Sequence, residues 1–243
     1  MRALRRWDPD RRTWLHYDSP FQLLIATIMS AQTTDDMVNK VTPVLFERYP
    51  DAQHLAEANP SDVEKIIKST GFFRQKTKSI IGAARKIVDD FGGEVPLTMA
   101  ELTQVPGAAR KTANVVLANI APRPKSDHGI FVDTHINRVS QRLGLTQHGD
   151  PVKVERDLME LLPQNAWVDV PHQLIQLGRD FCKARNPNHA DCPLLKWCPT
   201  GQAELSQVRG SRPATGAKRR STAKPAGRRR SGGGTSRANP RST

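Results

Sequence analysis

Signals that start and stop helices recur along this chain at short intervals, while strand signals barely occur, and this restricts the fold more than any other feature. Ser19-Pro20 sets a cap and a first-turn proline ahead of the apolar stretch FQLLIATIM. Ser61 and Glu64 have capping-box spacing before Ile66 and Ile67, and Gly71 supplies a stop. Between Arg74 and Phe91, residues Ile80, Ile81, Ala84, Ile87 and Val88 fall near helical spacing, and Gly92-Gly93 ends the run. Thr98 with Glu101 repeats the capping box shortly before Pro106-Gly107. Further helices are expected over Arg110–Ile120 and Thr134–Leu143, from Asp150-Pro151 through Leu162, and over Val168–Phe181. The expected fold class is all-α, about ten helices joined by short turns.

Charge divides the chain. Of 243 residues, 37 are Lys or Arg and 24 are Asp or Glu, a formal net charge of +13. Residues 199–243 hold eleven of the basic residues and one acid, Glu204, which leaves +3 on the first 198. From Pro199 the helical period gives way to Ser, Gly, Pro, Ala and Arg. Such a segment buries too little apolar surface to offset its ordering entropy, so 206–243 is expected to be disordered. Its runs at 218–220 and 228–230 suit duplex phosphates, with a solubilising tail or a eukaryotic import signal as alternatives. The longest apolar run, Phe21 to Met29, is broken by Gln22 and Thr27 and falls far short of the ~20 residues of a membrane span. The first residues, MRALRRWDPDRR, lack the apolar core of a secretory signal. An intracellular, soluble protein with no membrane partner is expected: cytoplasmic and nucleoid-associated in a bacterium, nuclear or mitochondrial in a eukaryote.

The three cysteines, Cys182, Cys192 and Cys198, crowd into 17 residues. An odd, clustered set fits a disulfide framework poorly and reads first as a metal site. A second kind of site is suggested by LTQVPGAARKTANVV, residues 102–116, where a tight turn feeds a helix at Arg110. Backbone amides at a helix start are free donors, the dipole there favours an anion, and Pro-Gly permits close approach. A nucleic-acid phosphate suits that turn; a plain helix connector is the other reading.

With its neighbours, this stretch resembles the endonuclease III family of DNA glycosylases. V-P-G-x-x-R-K-T-A between two helices is similar to the family's helix-hairpin-helix. LIATIMSAQTTDDMVNK (24–40) resembles its early helix and S-A-Q-x-T-D turn, FVDTHINRVSQRLGL (131–145) its V-D-T-H-x-x-R-V helix start, and 182–198 its iron–sulfur loop. The motifs occur in the family's order over about residues 18–198, and the tail from 199 has no counterpart in the family core. The resemblance implies two helical subdomains with an active-site cleft between them. Residues 1–18 would be an N-terminal extension and 19–132 a helical barrel subdomain including the hairpin 98–121. Residues 133–198 would carry the remaining helices and the loop 182–198, packed with 1–18, and 199–243 would form the basic tail.

The activity implied is that of a bifunctional glycosylase and abasic-site lyase of base excision repair, acting as a monomer on oxidised pyrimidines in double-stranded DNA with a damaged or abasic site. Lys111, in the first turn of its helix, is the implied nucleophile. A helix start disfavours a cation, partial burial would too, and a neutral amine is what a Schiff base requires. On the residues alone, an exposed phosphate-binding lysine is the leading reading of Lys111, and the resemblance reverses it. Asp133, well placed as an N-cap, is by resemblance also catalytic, taking a proton or stabilising charge on the sugar. Gln32 would fill the hole left by the extruded base, and Ser30, Asp35 and His135 match pocket positions, Asp35 being also a possible cap. Phe72 stands where the family has an apolar wedge, though Gly-Phe-Phe also suits core packing. Arg74, Lys76 and Lys78 reach phosphates or form a solvated face. Pro106, Gly107, Ala109 and Arg110 form the DNA-gripping turn. At Ala109 the family usually has Gly; Ala costs roughly 1 kcal/mol if φ must be positive and nothing if it is negative.

In the metal loop the family's gaps of six, two and five hold, but His189 stands at the second cysteine position. The resemblance implies a [4Fe–4S] cluster bound by Cys182, His189, Cys192 and Cys198, with a three-cysteine cluster holding an open iron, or Cys₃His zinc, as alternatives. In each case the role is structural, and Lys183, Arg185 and Lys196 on the loop can meet phosphate. Two other activities stand beside this one: a divergent paralogue working mainly as a lyase, and a catalytically silent DNA-structure binder. A glycosylase for adenine or alkylated bases fits less well, because those enzymes typically lack the nucleophilic lysine.

Overall fold

The computed structural model of the protein describes residues 2–9, 13–120 and 128–210, with side chains to Gln207. In chain order the helices are α1 (Arg2–Trp7), α2 (Pro20–Met29), α3 (Asp35–Arg48), α4 (Ala52–Ala56), α5 (Pro60–Ile67), α6 (Phe73–Phe91), α7 (Met99–Leu102), α8 (Arg110–Ile120), α9 (Thr134–Arg142), α10 (Pro151–Leu161), α11 (Asp169–Asp180) and α12 (Pro199–Gly210). Three short 3₁₀ turns accompany them, and there is no strand among the described residues. Nor is any described helix long and apolar enough to cross a membrane.

Short polar side chains start these helices. Ser19 accepts from the Gln22 amide, Thr98 from Glu101, and Asp150 from Val152 and Lys153. Each satisfies amides that the first turn leaves without a partner, about 1 kcal/mol per cap. One expected cap is corrected. Ser61 does not start α5; Asn59 does, accepting from the Ser61 amide, because Pro60 at the first helical position moves the start forward.

Two apolar cores result. The first gathers α2, α3, α5, α6 and the hairpin α7–α8, with Leu23, Leu24, Leu45, Ile67, Ile80 and Ile87 wholly buried. The second gathers α9, α10 and α11 around Ile136, Val139, Leu158 and Leu174. Leu4 of α1 belongs to the second core and Leu15 to the first, so the N-terminal stretch touches both. α8 also serves both: Ala113, Val116 and Leu117 face the first core and Val115 the second. Ile130 and Phe131 already belong to the second core, ahead of the expected boundary at 133.

The helical period does not stop at Pro199. α12 continues to Gly210, and its start is held by Cys198, whose carbonyl accepts from the Gln202 amide at 3.0 Å and whose sulfur accepts from the Gly201 amide at 3.3 Å. Few apolar residues mark this helix, so its signal lies in the preceding loop. The expected disorder from 206 is therefore corrected as far as Gly210. The basic runs at 218–220 and 228–230 lie outside the described residues.

Candidate active site

The hairpin turn owes its shape to Gly107. Its φ is +83°, and a Cβ there would stand 2.9 Å from Ile28 Cγ2 and 3.2 Å from Ser79 Cβ, so both backbone conformation and space require glycine. Ala109 is not among the residues of positive φ, which resolves the sequence question: alanine at this position is unstrained. Pro106 packs beside Gly82 of α6, and the two helices frame an open groove of about 560 Å³ lined by Arg74, Lys78, Arg85, Pro106 and Gly107. The first three are exposed cations beside the turn's amides, an arrangement suited to a phosphate chain.

Arg110 is differently placed from the expectation that it serves DNA. Its guanidinium is bidentate on Glu155 of α10, at 2.8 and 3.1 Å, and that carboxylate is buried. Glu155 also accepts from Asn114 Nδ2 at 2.9 Å, and Asn114 Oδ1 accepts from the Gly129 amide at 2.7 Å. A Cβ at Gly129 would come within 2.0 Å of the Glu155 carboxylate. This network ties the start of α8, the body of α10 and the segment leading to Asp133 into one unit.

Lys111 and Asp133 line the same cavity, of about 220 Å³, with Ser30, Gln32 and Asp35. Lys111 is exposed, not partly buried as expected, because it precedes Ala113, the first buried residue of α8. Asp133 is the N-cap of α9. Its Oδ1 accepts from the His135 and Ile136 amides at 2.9 and 2.8 Å. Its Oδ2 lies 3.6 Å from His135 Nδ1 and accepts no hydrogen bond among the described residues. One oxygen therefore holds the helix and the other is available to the cavity. His135 does not line that cavity; it packs against Gly178 of α11.

Asp35 is not the cap of α3, which is Thr34; it pairs with Arg179 of α11 at 3.0 Å. The Arg179 guanidinium also lies 4.3 Å from the centre of the Trp14 ring, and Trp14, Phe131, His172 and Thr112 complete the cavity wall. Sequence reasoning missed these wall residues. Asp35 and Arg179 are 144 positions apart, and nothing local in either segment announces the pair.

Two turns, of which the one at Gln32 lines the cavity, carry side chains outward. Gln32 (φ +55°) and Phe72 (φ +47°) are left-handed without being glycine, and Phe72 is 69% exposed. That exposure excludes core packing for Phe72. Lys76, read as a phosphate contact or part of a solvated helix face, is neither: it is buried, and its burial lowers its pKa.

The cysteine loop wraps the C-terminal end of α9. Arg138 Nε donates to the Cys182 carbonyl at 3.0 Å, and Arg142 Nη1 donates to the Lys183 carbonyl at 2.7 Å and approaches Cys182 Sγ at 3.4 Å. Cys182, His189, Cys192 and Cys198 line one small cavity, closed by Val139, Leu143, Leu177 and Phe181. All three thiols are free. Burial pushes the Cys192 thiol up, and the nearby Cys198 and Cys182 add to this. His189 is buried and its Nε2 lies 2.9 Å from Glu204 of α12. A Cβ at Gly201 would stand 3.0 Å from His189 Nδ1 and 3.4 Å from Cys198 Sγ, so glycine leaves the space between these two donors open. Among the described residues, no three His, Cys, Asp or Glu side chains converge as ligands of a single ion.

A profile of the HhH-GPD superfamily base excision DNA repair proteins matches residues 25–164. Endonuclease III of Synechocystis sp. is 52% identical over 200 residues, 82% of this chain and 90% of that protein. Endonuclease III of Bacillus subtilis is 42% identical over 195 residues, 80% and 87% of the two chains. Among solved structures, a non-covalent Endonuclease III–DNA complex and a trapped Endonuclease III–DNA covalent intermediate each superpose with a TM-score of 0.77 at 38% identity, covering 84% of this chain and 94% of theirs.

Proposed function

The chain belongs to the endonuclease III family within the HhH-GPD superfamily of base excision DNA repair proteins, and we propose on that footing that Lys111 is its Schiff-base nucleophile and Asp133 the carboxylate that assists it. Its activity is that of a DNA glycosylase and abasic-site lyase on duplex DNA. The observation that carries the residue assignment is the shared cavity, to which the hairpin brings an amine and the start of α9 a half-engaged carboxylate.

The steps follow from those two groups. The duplex bends and the damaged nucleotide leaves the stack, since its C1′ is out of reach inside it. Gln32, held outward by its turn, fills the vacated space, and Phe72 wedges between the neighbouring bases. The hairpin amides with Arg74, Lys78 and Arg85 hold the phosphates; Arg110 braces the hairpin through Glu155. Neutral Lys111 Nζ attacks C1′, the C1′–N bond breaks, and the electron pair leaves with the base, which takes up a proton. Asp133 Oδ2 accepts the proton lost by the amine and faces the positive charge on the sugar. The nitrogen lone pair then opens the sugar ring: the C1′–O4′ bond breaks, O4′ takes the proton held by Asp133, and a C1′=N imine results. The imine acidifies C2′; loss of that proton drives β-elimination, the 3′ C–O bond breaking with its electrons on the phosphate. Water then frees Lys111. The substrate class is oxidised pyrimidines, chosen by the cavity wall of Trp14, Phe131, His172 and Arg179.

Endonuclease III proteins generally carry a [4Fe–4S] cluster. In this chain Cys182, Cys192, Cys198 and His189 would hold it, His189 through Nδ1 while Glu204 orients the ring from Nε2. The donors surround a cavity rather than meet at a point, which suits a cluster better than zinc. The cluster's contribution is structural: it fixes the loop that grips α9 and hence Asp133.

Borohydride reduction during turnover tests the assignment. A covalent protein–DNA adduct is expected from the native chain and none from Lys111→Ala. An adduct in that variant would move the nucleophile to another residue.

A further inference from the structure

Lys76 is the least expected residue near the start of α6. It lies one turn into α6, where its own amide bonds back to the Phe72 carbonyl at 3.0 Å, and it is only 5% exposed. Burying an ammonium is unfavourable unless its protons find acceptors, and no carboxylate is paired with it among the described residues. Its Nζ donates instead to the Thr70 carbonyl at 2.9 Å and to the Thr33 hydroxyl. That hydroxyl in turn donates to the same Thr70 carbonyl at 2.6 Å. Thr33 directly follows Gln32, and Thr70 stands two residues before Phe72. Three hydrogen bonds thus join two turns 37 residues apart, and each turn carries a non-glycine residue in the left-handed region. Such conformations persist where their surroundings over-determine them. An apolar side chain would fill the same space without burying an ammonium, so what the amine contributes there is the bonds it makes.

We propose that Lys76 is a positioning residue that clamps the Gln32 turn to the Phe72 turn, so that both side chains enter the duplex as one rigid unit. The clamp rests on the reading of Gln32 and Phe72 as the inserted residues, and it adds a claim that reading does not contain: the two insertions are energetically coupled through one amine. Pre-organisation of this kind lowers the ordering cost of opening the duplex and leaves the chemistry at Lys111 untouched.

A mutant cycle on single-turnover excision of an oxidised pyrimidine tests it, with cleavage of a single-stranded abasic oligonucleotide as the reference, since that substrate has no stack to fill. Lys76→Met should slow duplex excision about tenfold more than it slows single-strand cleavage. In a chain already carrying Gln32→Ala and Phe72→Ala, the same change should add less than about twofold. Thr33→Val, which removes the shared hydroxyl while keeping Lys76, should reproduce the duplex-specific loss and serves if Lys76→Met folds poorly. Equal slowing of both substrates by Lys76→Met and by Thr33→Val, or an undiminished effect in the Gln32/Phe72 background, overturns the clamp. If Gln32→Ala and Phe72→Ala leave duplex excision unchanged, the insertion reading itself is wrong, a result distinct from failed coupling.

Discussion

Replacing Glu155 by alanine tests the network that seats α8, the helix of Lys111. The side chain is 6% exposed and receives two bonds from Arg110 and one from Asn114. Breaking a wholly buried ion pair costs about 3–5 kcal/mol, but the Arg110 side chain is 53% exposed and can be rehydrated, which argues for the lower end. Asn114 is only 1% exposed, so its amide is left without an acceptor, itself about 1–3 kcal/mol. We therefore expect a loss of about 3 kcal/mol, with Glu155→Gln losing about half, because one oxygen still accepts from Asn114. With a urea slope of about 2 kcal/mol/M, the midpoint should fall by about 1.5 M. Unfolding followed by circular dichroism at constant metal content measures it. A fall below about 0.3 M would mean that Arg110 and Asn114 find other partners, and that α8 is not held by α10 in the way described.

Three further outcomes follow. Gly107→Ala meets Ile28 and Ser79 while keeping a positive φ, and should weaken duplex binding about tenfold or more in a fluorescence-anisotropy titration, with single-stranded cleavage less affected. His189→Ala should lower the iron content from about four per chain and the absorbance near ~400 nm, while His189→Cys should restore both; Glu204→Gln should speed iron loss to a chelator. Lys76 has a folded pKa below its unfolded value, so between the two the unfolded chain binds more protons and stability rises with pH until the unfolded pKa is passed. Relative to Lys76→Met, the native chain should thus gain stability as the solution is made alkaline, read from paired urea midpoints; a constant difference across that range would refute the burial argument.

What the sequence disclosed depended on range. Ser19, Thr98, Asp133 and Asp150 act through amides two or three residues away, so their roles could be read from a few letters. The apolar spacing of α6 likewise predicts its buried face, with Ile80, Ala84 and Ile87 fully enclosed. Ser61 misled because the proline before it dominates the start of α5. α12 was illegible because its first turn is held by Cys198 and its signal is not apolar. The cavity wall is assembled from distant segments: Arg179 on Asp35 and Trp14, Arg110 on Glu155. A lysine one helical turn from a solvent-facing phenylalanine reads as exposed, and only the position of Thr33 against Thr70 shows why Lys76 is not.

The sharing of α8 between the two cores has a mechanical consequence. The N-terminal stretch reaches both as well, through Leu4 and Leu15, so shifting one core against the other loads two separate ties, and one of them carries Lys111.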